Sequence, residues 1–292
     1  MAEGCDRTCS FCAIPLIKGA HISKSIENIV LEAENLKSQN VKEAIVISQD
    51  LTYYGYDTHK KAMLPELVET LAKSGNFEWI RLNYAYPSKF PRELVQVMKK
   101  YPNVCNYLDI PLQHISEDIL KLMRRGLGAK PTIELLEYIR KEIPNIALRT
   151  TMLVGNPGET QVHFDELKQF VKDFKFDRLG VFAYSEEEGT YAAKNYKDNV
   201  PDDVKQQRVE ELMEIQQQIS FEKNQEKIGQ VFKTIIDRKD GDYYVGRTEF
   251  DSPEVDNEVL VSTKDAKLKI GEFYNLKITS AIDFDLYAEL AD

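Results

Sequence analysis

A chain of 292 residues with 42% hydrophobic and 29% charged content is ordinary globular protein, long enough for one large domain and a smaller one. Its formal net charge of −10 argues against a nucleic-acid partner held by clustered Lys and Arg, and favours a basic partner. No run approaches the roughly 18 apolar residues a spanning helix needs, no secretory signal opens the chain, and four cysteines are too few for a disulfide framework, so a cytoplasmic location is expected.

Three of the four cysteines stand in CDRTCSFC, as Cys5, Cys9 and Cys12. Zinc sites usually draw four ligands from paired C-x-x-C elements, and here there is no second pair and only His21 lies near in sequence. Four irons held by three thiolates leave one iron open to a different ligand. Such an iron can chelate the amino and carboxylate groups of S-adenosylmethionine and set its sulfonium beside an electron source, so that reductive cleavage yields a carbon radical. A zinc or redox-sensing loop, and a coincidental trio, stay open at this point. Cys105, in PNVCNYLDI, stands just before a predicted strand and reads as a small buried hydrophobe.

From Ile26 onward helix-like and strand-like segments alternate. SIENIVLEAENLKS has apolar residues at helical spacing with Ser25 as N-cap, and EAIVIS follows as a short buried strand. The rhythm repeats in LPELVETLAKS and WIRLNY, PRELVQVMKK and YLDI, TIELLEYIRKEI and IALRTTMLV, HFDELKQFVKDF and RLGVFAY. Pro65, Pro91 and Pro131 sit at helix starts, where a missing N–H costs least. Five strands, each preceded by a helix, predict parallel pairing in an α/β fold: a βα barrel or part of one, with active groups at the C-terminal strand ends. A doubly wound sheet would give the same string. Residues 201–228 predict one long polar connecting helix, and residues 229–292 a small all-β barrel with a hairpin at Asp240-Gly241.

The C-x-x-x-C-x-x-C of Cys5, Cys9 and Cys12 resembles the radical S-adenosylmethionine signature. AEGCDRTCSFCAIP, ISQDLTYYG, YLDIPLQH with LKLMRRG, LRTTMLVGNPGET and GVFAYSEEEGT resemble the methylthiotransferases within that superfamily. The wording DIPLQH resembles the RimO branch, which modifies an aspartate of small-subunit ribosomal protein number twelve. The tRNA-modifying branch reads differently there. The resemblance implies a partial radical-SAM βα barrel over residues 1–200, its first strand truncated, and a TRAM-like barrel at the C-terminus. It also implies a further N-terminal domain with three more cysteines and a second four-iron four-sulfur cluster, which this sequence lacks, so a piece of a longer protein is expected. Lys18 and Lys24 stand where members tend to carry Arg, keeping the charge but not the planar fork.

By the same resemblance, Cys5, Cys9 and Cys12 ligate a four-iron four-sulfur cluster. Phe11 lies against adenine, Ser48 and Gln49 hold the methionine part of S-adenosylmethionine, and Arg149, Thr151 and Gly155 contact adenine and ribose. Asp50 has a strand-end cap as its plain reading. Gln113 and His114 are rim positions, with a structural histidine as the plain reading, and Arg124 and Arg125 close a helix with no ligand role expected. The implied reaction adds a methylthio group to the aspartate β-carbon. One cofactor molecule methylates sulfur on the second cluster, another gives the 5′-deoxyadenosyl radical, and an electron donor such as a flavodoxin serves it. Alone, such a piece is expected to cleave the cofactor without transferring the group. Residues 227–292 carry nine Lys and Arg against fourteen Asp and Glu, a net of −5 that favours a Lys-rich ribosomal protein over tRNA. Alternative readings are a tRNA adenosine methylthiotransferase and a non-catalytic ribosome-binding protein.

Overall fold

The computed structural model describes residues 1–291. It opens on a two-stranded antiparallel ribbon, β1 (Ala2–Glu3) with β2 (Ile22–Ser23), which closes a loop holding helix α1 (Ile14–Lys18). The truncated first barrel strand expected here thus pairs with β2, not in parallel with the main sheet.

The alternating segments follow in the expected order. Helix α2 (Ile26–Ser38) starts at Ser25, whose hydroxyl accepts the Asn28 N–H, and leads to β3 (Glu43–Ile47). Then come α3 (Tyr56–His59), α4 (Leu64–Ser74), β4 (Trp79–Asn83), α5 (Glu93–Lys100), β5 (Val104–Asp109), α6 (Glu117–Leu122), α7 (Ala129–Glu142), β6 (Ala147–Val154), α8 (Gln161–Phe174), β7 (Arg178–Ala183) and α9 (Tyr191–Asn195). Strands β3 to β7 form one parallel sheet in strict chain order. A doubly wound sheet reverses direction at a switch point, and this one does not. It is therefore a singly wound, open arc, a partial barrel.

Alternation along β6 separates the two faces. Leu148, Thr150, Met152 and Val154 are buried on the helix side, against a layer that includes Phe164, Leu167 and Val171 of α8. Each fully buried apolar side chain of this kind contributes about 1.5–3 kcal/mol. The opposite face lines the hollow of the arc. Strand β3 departs from the buried strand expected of EAIVIS, because Ile45 and Ile47 point into that hollow and are exposed, Ile47 by 50%. Cys105 lies inside β5 instead of before it, and is buried.

The long helix α10 (Asp202–Gln225) does more than connect. It packs on α8 and β7, burying Leu212 and Ile219, and Asn224 Nδ2 donates to the Ile282 and Asp283 carbonyls of the C-terminal module. That module comprises β8 (Val231–Asp240), β9 (Tyr243–Thr248), β10 (Glu258–Ser262), β11 (Phe273–Ala281) and β12 (Asp285–Leu290), closed in the order β10-β12-β11-β8-β9 around Ile236, Val259, Val261, Leu276, Ile278 and Leu286. Gly241, at φ +54°, makes the β8–β9 turn.

The barrel plugs the N-terminal half of the hollow. Arg81 on β4 bonds Glu43 and the Thr248 and Glu249 carbonyls, and Arg178 on β7 pairs with Asp251. Arg149 on β6 pairs with Asp256, which also accepts the Tyr107 hydroxyl. The carbonyls and carboxylates come from the end of β9 and the loop before β10. The C-terminal half of the hollow is open, lined by the exposed Ile47, Tyr84 and Phe182. Among the described residues no helix is long and apolar enough to cross a membrane.

Candidate functional site

Strands β3 to β7 end on one rim, and the cysteine loop lies across it. Arg7 Nε donates to Asp50 Oδ2 at 2.6 Å just past β3, Ser10 N donates to the Met123 carbonyl at 3.0 Å past β5, and Ala192 N donates to the Ser10 carbonyl at 2.7 Å past β7. Asp50 also accepts from Thr52 N at 2.9 Å, so it caps a short turn, as its plain reading had it. Cys5 N donates to the Gly19 carbonyl at 3.1 Å and closes the base of the loop.

That closure needs Gly4. Its φ is +79°, and a Cβ there would stand 2.0 Å from the Ala20 carbonyl oxygen. Gly4→Ala is expected to cost at least about 1–3 kcal/mol of stability and to displace Cys5. Thermal unfolding and iron uptake of the variant check this; a variant matching the parent in both would show that the loop absorbs a side chain.

Cys5, Cys9 and Cys12 are half-buried free thiols. Burial pushes the Cys5 thiol up to about 11, and charge on Cys9 and Cys12 adds to the rise; Cys12 is raised by burial and then by Cys9. Charge on Cys9 thus reaches both of the other two thiols. Yet among the described residues no three His, Cys, Asp or Glu side chains close on one point as a single ion requires, each sulfur about 2.3 Å from a shared zinc.

Tyr86, beyond β4, stands beside Cys9 with its hydroxyl 3.7 Å from Sγ, and its ring lies between two guanidinium groups, Arg7 at 4.1 Å and Arg125 at 4.2 Å from the centroid. Burial raises the Tyr86 phenol, which stays protonated and donates to the Arg125 carbonyl. Arg125 Nη1 donates to Cys9 Sγ at 3.3 Å. The Oγ of Ser10 and Ser48 and the side-chain oxygen of Gln49 are buried with no hydrogen-bond partner, as is Asn83 Oδ1, whose Nδ2 donates to Ser252 of the barrel. Buried polar atoms of this kind want a ligand or a water.

Similarity to known proteins fits this arrangement. The family model of the Radical SAM superfamily matches residues 1–171, and that of the TRAM domain residues 228–291. The chain is 59% identical over 290 residues to the ribosomal protein uS12 methylthiotransferase RimO of Bacteroides thetaiotaomicron, covering 99% of this chain and 66% of that protein. It is 58% identical to the RimO of Phocaeicola vulgatus, with 99% and 67% covered. The chain belongs to the RimO family of the radical SAM superfamily. It spans about two thirds of the length of these curated relatives, 64% for the RimO of Christiangramia forsetii. Among solved structures it is similar in fold to coproporphyrinogen III oxidase (HemN) from Escherichia coli, described as a radical SAM enzyme, with TM-score 0.55 and 17% identity over 76% of this chain and 52% of that one. Methylornithine synthase (PylB) gives 0.52 and 15%, with 74% and 60% covered.

In this RimO-family chain the residues singled out from the sequence divide into two groups. Cys5, Cys9, Phe11, Cys12, Ser48 and Gln49 sit at the rim beside the cysteine loop. Thr151 is half-buried on the hollow side of β6, and its carbonyl accepts the Gln113 N–H at 2.8 Å. Arg149 is engaged elsewhere, its guanidinium 3.2 Å from Asp109 and 3.3 Å from Asp256, facing the plug and not the rim. Gly155 follows β6 at φ +75°, and the room a Cβ would take is filled by Lys205, with Cγ at 2.3 Å. His114 is structural. It is buried, its Nδ1 accepts from Ser116 N at 2.9 Å, and burial lowers it to about 3, which leaves it neutral 3.9 Å from Glu159.

Arg125 is the residue the sequence left out. Helix α6 ends in a Schellman turn, Arg125 N donating to the Leu120 carbonyl and Arg124 N to the Lys121 carbonyl at 3.0 Å each. Arg124 takes the left-handed position at φ +56° and turns outward over Tyr191, which sends Arg125 inward beneath the loop. Two adjacent arginines before a glycine carry no mark in sequence of which one turns in.

Proposed function

We propose that this chain holds a four-iron four-sulfur cluster on Cys5, Cys9 and Cys12 and binds S-adenosylmethionine at its open iron, in the service of methylthio transfer to an aspartate β-carbon of ribosomal protein uS12. The supporting observation is the trio of free, half-buried thiols on a loop laid across the C-terminal rim of a parallel sheet, in a chain 59% identical to a RimO. When bound, the cluster supplies the electron that cleaves the sulfonium to methionine and a 5′-deoxyadenosyl radical.

The chain's own residues define the rest of the site. Ser48 and Gln49 present unpartnered oxygens suited to the amino group of the methionine portion. Phe11, in the turn before Cys12, offers its backbone to adenine, and Thr151 offers a hydroxyl on the hollow side of β6. Ile47, Tyr84 and Phe182 give the open half of the hollow an apolar wall that keeps water from a carbon radical. The barrel beneath closes the other end, which leaves the rim as the entrance. Glu186, Glu187 and Glu188, exposed past β7, face an arriving Lys-rich protein. The second cluster, which would carry the sulfur, is assigned to the part of such proteins that this chain does not span. A flavodoxin-type donor and a cytoplasmic location near the ribosome complete the reading.

The test is direct. Reconstituted anaerobically with iron and sulfide and reduced with dithionite, the chain is expected to form 5′-deoxyadenosine and methionine from S-adenosylmethionine. A preparation that binds zinc alone, or holds full iron and forms neither product, would refute the reading.

A further inference from the structure

A cation buried without a carboxylate is costly, and proteins rarely leave one so. Arg125 is only 5% exposed, and among the described residues it has no acidic partner within 4.0 Å, although Arg7, Arg81, Arg149, Arg178, Arg208 and Arg247 all do. Its donors are accounted for in part. Nη2 donates to the Pro111 carbonyl, Nη1 to Cys9 Sγ at 3.3 Å, and Nε has no partner. The group is also held in place: its plane lies 4.2 Å over the Tyr86 ring, whose hydroxyl returns to the Arg125 carbonyl, and Arg7 braces the other face of that ring. Arg7 is neutralised by Asp50 at 2.6 Å. Arg125 is the charge left over, aimed at a sulfur.

From this we infer that Arg125 is a positioning residue for the metal centre, supplying the counter-charge and a hydrogen bond to the Cys9 thiolate. The inference rests on the cluster reading above. Hydrogen bonds to ligand sulfurs and local charge are among the protein's means of setting the potential of an iron–sulfur group. The reduced state carries one more negative charge than the oxidised state, so a fixed cation at the sulfur stabilises reduction preferentially. A plain scaffold role, stapling the end of α6 to Pro111, would explain one donor and the stack. It leaves the contact with Cys9 and the missing carboxylate without a reason.

The experiment compares the parent chain with Arg125→Met, Arg125→Gln and Arg125→Lys after anaerobic reconstitution, reading iron content and the reduced fraction by electron paramagnetic resonance at fixed solution potentials. With full iron, the ratio of reduced to oxidised cluster is expected to fall at least tenfold in the Met and Gln variants, ~59 mV for a one-electron couple, and less than threefold in Lys. Loss of iron from Met and Gln with retention in Lys also supports the charge role. Full iron with an unchanged ratio in Met or Gln overturns it, and so does loss of iron from all three, which would mark a scaffold residue. A parent chain that takes up no iron is a different failure, since it removes the cluster itself.

Discussion

Alanine at Cys5, Cys9 or Cys12 is expected to bring reconstituted iron from about four per chain to below about one and to abolish formation of 5′-deoxyadenosine, whereas Cys105→Ala retains both. The contrast follows from where the sulfurs lie. Three are half-buried on a loop tied to Asp50 just past β3, to the end of α6 and to α9, and the fourth is enclosed inside β5 against Trp79, Tyr107 and Ile235. With three ligands there is no spare, and losing one leaves two thiolates to hold four irons. Cys105 contributes packing alone, so its variant loses some stability and no chemistry. Iron and sulfide content and product formation, measured side by side on the four variants, decide the matter; a loop variant that keeps full iron would mean that some other side chain serves as a ligand.

Much of the scaffold was legible because local signals agreed with it. Ser25 capped its helix as expected, apolar residues at helical spacing covered one side of the sheet, and the strict alternation of helix and strand gave parallel pairing. The failures occurred where a distant element decides. EAIVIS reads as a buried strand because the hollow that exposes Ile45 and Ile47 is made by four other strands. Glu159, just before helix α8, folds back, accepting from Gly155 N at 2.7 Å and Asn156 N at 3.2 Å, and meets Arg208 of α10 at 2.8 Å. Burial pushes that carboxyl up to about 7, a position no local rule would assign to a surface-looking Glu.

The charge count of the C-terminal module has a related weakness. Its net of −5 includes Asp251 and Asp256, which face inward and hold Arg178 and Arg149 of the sheet. Part of the acidity that favoured a basic partner is therefore internal glue between the sheet and the barrel. The exposed Asp240, Asp242 and Glu254 remain available to a partner. Sequence gives the sum of charges, and only the fold says which of them meet solvent.

That glue makes the second large prediction. Arg178 and Asp251 are both buried, Nε and Nη2 of the one on Oδ1 of the other, while the Thr248 hydroxyl donates to Oδ2. Removing one partner of such a pair strands the other charge, so Arg178→Met is expected to destabilise the chain by about 3–5 kcal/mol at neutral pH. The double variant Arg178→Met with Asp251→Leu should recover most of the loss, since two apolar groups need no counter-charge. The pH dependence distinguishes this from a packing defect. Burial alone would raise Asp251, but the charge of Arg178, with that of Lys227, holds its carboxyl below the usual range. In the parent, this depressed group adds stability above the unfolded carboxylate range, and that stability is lost as pH falls through the folded value. In Arg178→Met burial prevails, and Asp251 prefers its proton. The gap between variant and parent should therefore be widest at neutral pH and narrow toward acid, as read by denaturant unfolding across that range. A gap under about 1 kcal/mol at pH 7, or one independent of pH, would mean that the barrel is not held to the sheet by this pair.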